Sequence, residues 1–179
     1  MSFADCASLM QPPIQESDYP DVLVVGLGNP ILGDDGVGWK VAEAVKEALS
    51  EMVPARTDIE VACYALGGLS LMEHLIGYKR AVIIDAVQTK TGEAGRLYDL
   101  ALSDLPDTSA GHLTAVHDTS LQTALNLGRE MGASLPSEIY VVGIEADKVY
   151  DFSESLSAEV EAAVPAAVEL VLRRLANNN

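Results

Sequence analysis

Two adjacent acids, Asp34 and Asp35, sit in a glycine-punctuated turn at the end of the run Val22 to Gly38. A third acid, Asp85, directly follows the apolar run Ala81-Val-Ile-Ile84, and His117 lies beyond a long polar loop. Carboxylate, carboxylate and imidazole make a mixed oxygen and nitrogen donor set, which suits a first-row divalent metal with open positions better than it suits magnesium. Each residue also has a plainer reading. An acid at a helix start can be only a cap or a partner for the helix dipole, and an acid at a strand end is often a turn residue. Two neighbouring acids between glycines exceed what one cap needs, so one can cap while the other points elsewhere. Among the remaining polar groups, His74 and His112 read as surface or hydrogen-bonded structural residues, and Glu73, Glu145 and Asp147 as solvated. His112 is the rival to His117; five positions apart, the two cannot share a helix face.

The elements that must position these groups alternate between strand and helix. Val22 to Gly26 is a continuous apolar run of the kind buried on both faces of a parallel sheet. Val37, Val41, Ala44, Val45, Ala48 and Leu49 follow at helical spacing. Ile59 to Ala65 reads as a second strand, Leu69 to Ile76 as a short helix after the Gly67-Gly68 break, and Ala81 to Ile84 as a third strand. Gly92 and Gly95 mark a turn into a fourth, Arg96 to Leu100. Residues 103–116 read as a loop long enough to be functional. Leu121, Ala124, Leu125 and Gly128 carry another helix, Ile139 to Ile144 the last strand, and Val160 to Leu175 a closing helix in which Pro165 predicts a kink or a restarted turn. This alternation predicts a single-domain α/β three-layer sandwich, with a mostly parallel twisted sheet of about five strands flanked by helices. The first twenty residues, with Pro12, Pro13 and Pro20, read as a flexible extension before a domain over 21–179. In such sheets ligands bind beyond the carboxyl ends of the strands, so Asp35 after strand one and Asp85 after strand three should converge.

Composition narrows the ligand. The chain has 179 residues, is 49% hydrophobic and carries a formal net charge of −16, with a pI near 4.3. A polyanion such as nucleic acid is therefore an improbable partner. A dinucleotide fingerprint would need a third glycine where Ile31 stands, and a P-loop would need a lysine that is absent before Lys40, so no nucleotide cofactor is expected. Val25-Gly-Leu-Gly-Asn-Pro30 resembles the opening of peptidyl-tRNA hydrolases, but Ile31-Leu-Gly-Asp-Asp-Gly36 does not continue that pattern. Cys6 and Cys63 form no CxxC pair, so neither a disulfide framework nor a thiolate zinc site is supported. Lone Cys63 in an apolar stretch reads as core packing. The first twenty residues lack a basic start followed by an apolar run and no later apolar run reaches membrane-spanning length, so no signal peptide, no membrane association and a cytoplasmic location are the expectation.

The ordered set Gly26-x-Gly-Asn-x-x-x-x-Asp-Asp-Gly-x-Gly38, Ile84-Asp85-Ala86 and His117-Asp-x-Ser-Leu121 resembles the hydrogenase maturation endopeptidases, from Asp21 to about Leu175. The resemblance implies an endopeptidase that removes the C-terminal extension of a nickel–iron hydrogenase large-subunit precursor after nickel insertion. It matches Asp35, Asp85 and His117 to the family's nickel-contacting acid, strand-end aspartate and histidine. Some members carry Glu where Asp35 stands. The metal would be nickel supplied by the substrate, with zinc or cadmium able to substitute. Consistently, the chain has no HExxH helix for a resident zinc and no motif naming a serine or cysteine nucleophile. At this level a carboxylate and a metal-bound water are both open as the attacking group.

Gly28, Asn29, Asp34, Gly36 and Gly38 are assigned to the substrate's nickel-bearing segment. Glycine is a poor helix former by about 1 kcal/mol, so Gly36 and Gly38 at a helix start are read as room for that segment. The protein is expected to act as a monomer. An alternative of another class is a nickel-checkpoint protein that docks the precursor without cutting it, using the same three residues.

Overall fold

The computed structural model describes residues 20–104 except 53 and 55, residues 120–147, and residues 149–176. The extension expected at 1–20 falls, but for Pro20, outside the described residues. Among the described residues there are five strands, β1 (Val22–Leu27), β2 (Ile59–Tyr64), β3 (Arg80–Val87), β4 (Leu97–Ala101) and β5 (Glu138–Glu145), and four α-helices. The helices are α1 (Val37–Ser50), α2 (Gly68–His74), α3 (Leu121–Glu130) and α4 (Ala158–Ala176). The strands form one sheet in the order β2-β1-β3-β5-β4. All pairings are parallel except β4 with β5, which is antiparallel.

β1 is buried along its whole length, because both faces of the sheet are covered. Alternate side chains divide between two cores. Val22, Val24, Val82, Ile84, Val142 and Ile144 pack with Val37, Val41 and Val45 of α1 and Val160, Ala167 and Val171 of α4. On the other face, Leu23, Val25, Ile83 and Val141 pack with Leu71 and Leu75 of α2 and Leu121 and Leu125 of α3. The three-layer α/β architecture expected from the alternation is therefore present. Cys63 packs against the first of these cores.

The differences lie at boundaries. β3 and β5 extend further than their apolar runs, to Val87 and Glu145, because backbone pairing continues through Asp85↔Gly143 and Val87↔Glu145 whatever the side chain. Pro165 does not restart the closing helix, which runs unbroken from Ala158 to Ala176. The helix expected to open at His117 has its first described turn at Leu121, where Ser120 Oγ accepts a hydrogen bond from Thr123 N at 3.3 Å. His112 and His117 both lie outside the described residues, as does most of the long loop; 102–104 form a short 3₁₀ turn. Among the described residues, no helix is long and apolar enough to cross a membrane.

Candidate active site

The strand order reverses between β1 and β3, since β2 lies to one side of β1 and all later strands to the other. A crevice opens at such a switch point beyond the carboxyl ends of the strands. Asp35 follows β1 and Asp85 lies in β3, the two strands on either side of the reversal.

Leaving β1, Gly28 adopts φ +123, a conformation that side chains disfavour strongly. A Cβ there would also strike the carbonyl oxygen of Asp35. Glycine thus lets the chain pass directly over the residue it will hold. The turn Asn29-Pro-Ile-Leu32 is closed by Leu32 N donating to Asn29 O at 3.0 Å. Asn29 Oδ1 accepts from Ile31 N at 3.2 Å, and Pro30 supplies the fixed φ that the second position of a turn favours. A 3₁₀ turn, Gly33–Gly36, carries both acids and packs on β3.

The two carboxylates have separate partners. Asp35 Oδ2 accepts from Asn29 N at 2.7 Å, the short length of a charge-assisted bond, and Asp35 is 8% exposed. Asp34 is buried; Ser157 N donates to its Oδ1 at 2.6 Å and Ser157 Oγ to its Oδ2 at 3.0 Å. The N-cap position of α1 is taken by Gly36, which makes no side-chain cap bond. Ser157 immediately precedes α4, so Asp34 ties the site turn to the start of a different helix, where a negative charge is favoured.

Asp85 is fully buried in β3. Its register places it on the α2 and α3 face, between Ile83 and Val87 and opposite Gly143. The first turn of α1, which covers the other face, seats against the ends of the same strands: a Cβ on Gly38 would meet Leu27 O and, at 2.6 Å, Ile84 O. Gly26 gives matching room, since its Cβ would strike Gly38 O. Gly38 therefore serves close helix-to-sheet packing at the ends of β1 and β3. Gly36 has an ordinary φ of −75, and a Cβ there would lie 2.9 Å from Pro30 Cα, so its smallness accommodates the Asn29–Pro30 turn.

The 3₁₀ turn that carries Asp35 packs on β3, which carries Asp85, while His117 falls outside the described residues. Among the described residues, no three His, Cys, Asp or Glu side chains are grouped to hold a metal ion. His74 is engaged elsewhere: its Nδ1 lies 2.8 Å from Ser70 O and its ring meets Tyr64 at 4.5 Å between centroids. Burial pushes the Cys63 thiol up, with Glu43 adding to the effect, so it is a poor candidate nucleophile. A cavity of about 230 Å³ lined by Leu102, Arg129 and Tyr140 lies by the start of β5, at the opposite sheet edge from these acids.

Glu145 corrects the expectation of a solvated side chain, for it is fully buried at the carboxyl end of β5. Thr89 N donates to its Oε1 at 2.7 Å, and Tyr98 Oη and Thr89 Oγ1 donate to its Oε2 at 2.8 and 3.0 Å. A Cβ on Gly92 would strike this carboxylate, so the β3 to β4 connection closes tightly over it. The available signal was the one used for Asp85, an acid ending an apolar strand. Glu73 and Asp147, expected to be solvated, are exposed.

The hydrogenase maturation protease family model matches residues 66–174, well over half of the chain. The chain belongs to the hydrogenase maturation protease family. The matched residues take in Asp85 and the position of His117, whereas Asp35 precedes them. The "hydrogenase expression/formation protein HupD" of Rhizobium leguminosarum is 24% identical over 91% of this chain and 78% of its own length. The "hydrogenase 2 maturation protease" of Escherichia coli is 25% identical over 86% of this chain and 90% of its own. Among solved structures, the hydrogenase 2 maturation peptidase of a Thaumarchaeota archaeon is 31% identical, covers 88% of this chain and 99% of its own, and superposes with a TM-score of 0.57.

Proposed function

We propose that this maturation protease is an endopeptidase that removes the C-terminal extension of a nickel–iron hydrogenase large-subunit precursor once nickel has been inserted. The observation that carries the reading is that, at the switch point of a maturation-protease fold, the turn whose backbone holds Asp35 packs on β3, in which Asp85 is buried. Nickel enters as part of the substrate. Asp35, Asp85 and His117 approach the metal held on the precursor and so align the scissile peptide bond at the crevice. A carboxylate fixed by a 2.7 Å backbone hydrogen bond meets that ion without having to be ordered on binding. Gly28 and Asn29 position Asp35. Gly36 and Gly38 keep the turn and the first turn of α1 close enough to the strand ends for both acids to reach one ion. Asp34 anchors the turn through Ser157.

The test is incubation of the purified protein with matched nickel-loaded and nickel-free precursors, followed by intact mass measurement of the large subunit. Shortening of the nickel-loaded precursor alone is expected. Equal cutting of both would refute nickel recognition, and stable binding with no cutting would identify a checkpoint protein instead of a peptidase.

A further inference from the structure

The segment joining β5 to α4 is bound to the site turn by backbone. Ser153 N donates to Ile31 O at 3.1 Å and Gly33 N to Ser153 O at 2.7 Å, forming a parallel bridge between Leu32 and Ser153. Ser153 Oγ accepts from Ser155 N and donates to Ser155 O, both at 3.0 Å, and Ser157 is fixed on Asp34. Next to this bridge Phe152 is 87% exposed and Ile31 49%, and Tyr150, two residues before Phe152, is 81% exposed. The bridge register sets Ile31 beside Phe152. Asp147, Asp151 and Glu154, all exposed, lie in the same segment of sequence, on a chain whose net charge is −16.

We propose that Ile31, Tyr150 and Phe152, together with Asp147, Asp151 and Glu154, form a docking rim for an extended apolar and basic segment of the hydrogenase large-subunit precursor. This rests on the endopeptidase reading and adds the surface that selects the substrate. Three observations select that occupant. The rim is continuous with the site, since Ile31 belongs to the turn that holds Asp35, so a chain with its scissile bond at the crevice passes over it. Large apolar side chains held on an ordered backbone bind with little loss of freedom, and a rigid aromatic supplies much contact area. The acids of the segment attract Lys and Arg and repel an acidic segment.

The experiment uses a nickel-loaded large-subunit precursor from the same genome, with turnover and binding measured separately. Tyr150→Ser combined with Phe152→Ser is expected to raise KM at least tenfold and to leave kcat within about twofold, with the melting temperature unchanged. Met131→Ser, exposed at the far end of α3, leaves KM unchanged. Asp151→Lys with Glu154→Lys raises KM at low salt, and the difference narrows as salt screens the charges. An unchanged KM in the aromatic variant, with wild-type turnover intact, overturns the rim. So does a wild-type dimer that the same substitutions dissociate in sedimentation velocity, because the occupant is then a second copy. If the wild type binds the precursor without cutting it, and the aromatic variant loses that binding, the endopeptidase reading fails while the rim stands.

Discussion

Replacing Gly36 with alanine adds one methyl group at a position where the backbone would accept it, because φ is −75 and ψ −1. The obstacle is contact. The new Cβ would lie 2.9 Å from Pro30 Cα, roughly half an ångström inside ordinary carbon contact. Either α1 shifts from the sheet or the Asn29–Pro30 turn moves outward. The first route would open the packing of α1 on the sheet, including the close seat of Gly38 on the carbonyls of Leu27 and Ile84, so the turn yields first. Moving the turn carries Asn29 N away from Asp35 Oδ2, now 2.7 Å distant, and half an ångström brings that bond to the limit of useful geometry. Overpacking of this kind costs roughly 1–3 kcal/mol, which for a chain of this size is about 2–12 °C in Tm. Thermal melting gives the first term. Precursor cleavage, assayed well below Tm, gives the second and is expected to fall at least tenfold, with Gly36→Val worse on both. Gly132→Ala is the control: φ is +84 but no atom lies within 4 Å of the added Cβ, so it lowers Tm slightly and leaves cleavage alone. A Gly36→Ala protein that melts lower yet cleaves at the wild-type rate would refute the coupling from Pro30 through Asn29 to Asp35. An unchanged Tm would refute the tight contact itself.

Isolated protein is expected to bind nickel, zinc or cadmium weakly and reversibly, with Asp35→Asn or Asp85→Asn weakening the calorimetric signal further. Stoichiometric metal retained through chelator would count against a substrate-borne ion. His117→Ala should abolish precursor processing while His112→Ala leaves most of it; the reverse pattern would assign the role to His112. Asp34→Ala removes both acceptors of Ser157, and loss of a buried charged acceptor costs about 1.5–3 kcal/mol. Chemical denaturation should therefore show a lower midpoint, with Asp34→Asn recovering part of the loss; a midpoint within error of wild type would remove Asp34 from its anchoring role.

Much of this protein is determined by signals local in sequence. Continuous apolar runs near Val24, Ile83 and Val141 specify strands buried on both faces, because only a layer on each side removes all those side chains from water. The Val37, Val41, Val45 and Leu49 stripe specifies a helix against the sheet for the same reason, and Asp85 is legible as the acid that ends an apolar run, although backbone pairing carries β3 on to Val87. Tertiary structure alone decided which acid does what. Asp34 finds Ser157, 123 residues away, and nothing between Gly33 and Gly38 indicates that its partner is the start of α4 instead of α1. Glu145 is buried because Thr89 and Tyr98, 56 and 47 residues distant, bring it donors. A charged side chain enters a core only when such partners meet it there, and chain neighbours do not supply them. Gly36 and Gly38 look alike in sequence as weak points of a helix start. Their reasons, room for Pro30 and for the ends of β1 and β3, exist only after the turn, the helix and the sheet have closed on one another.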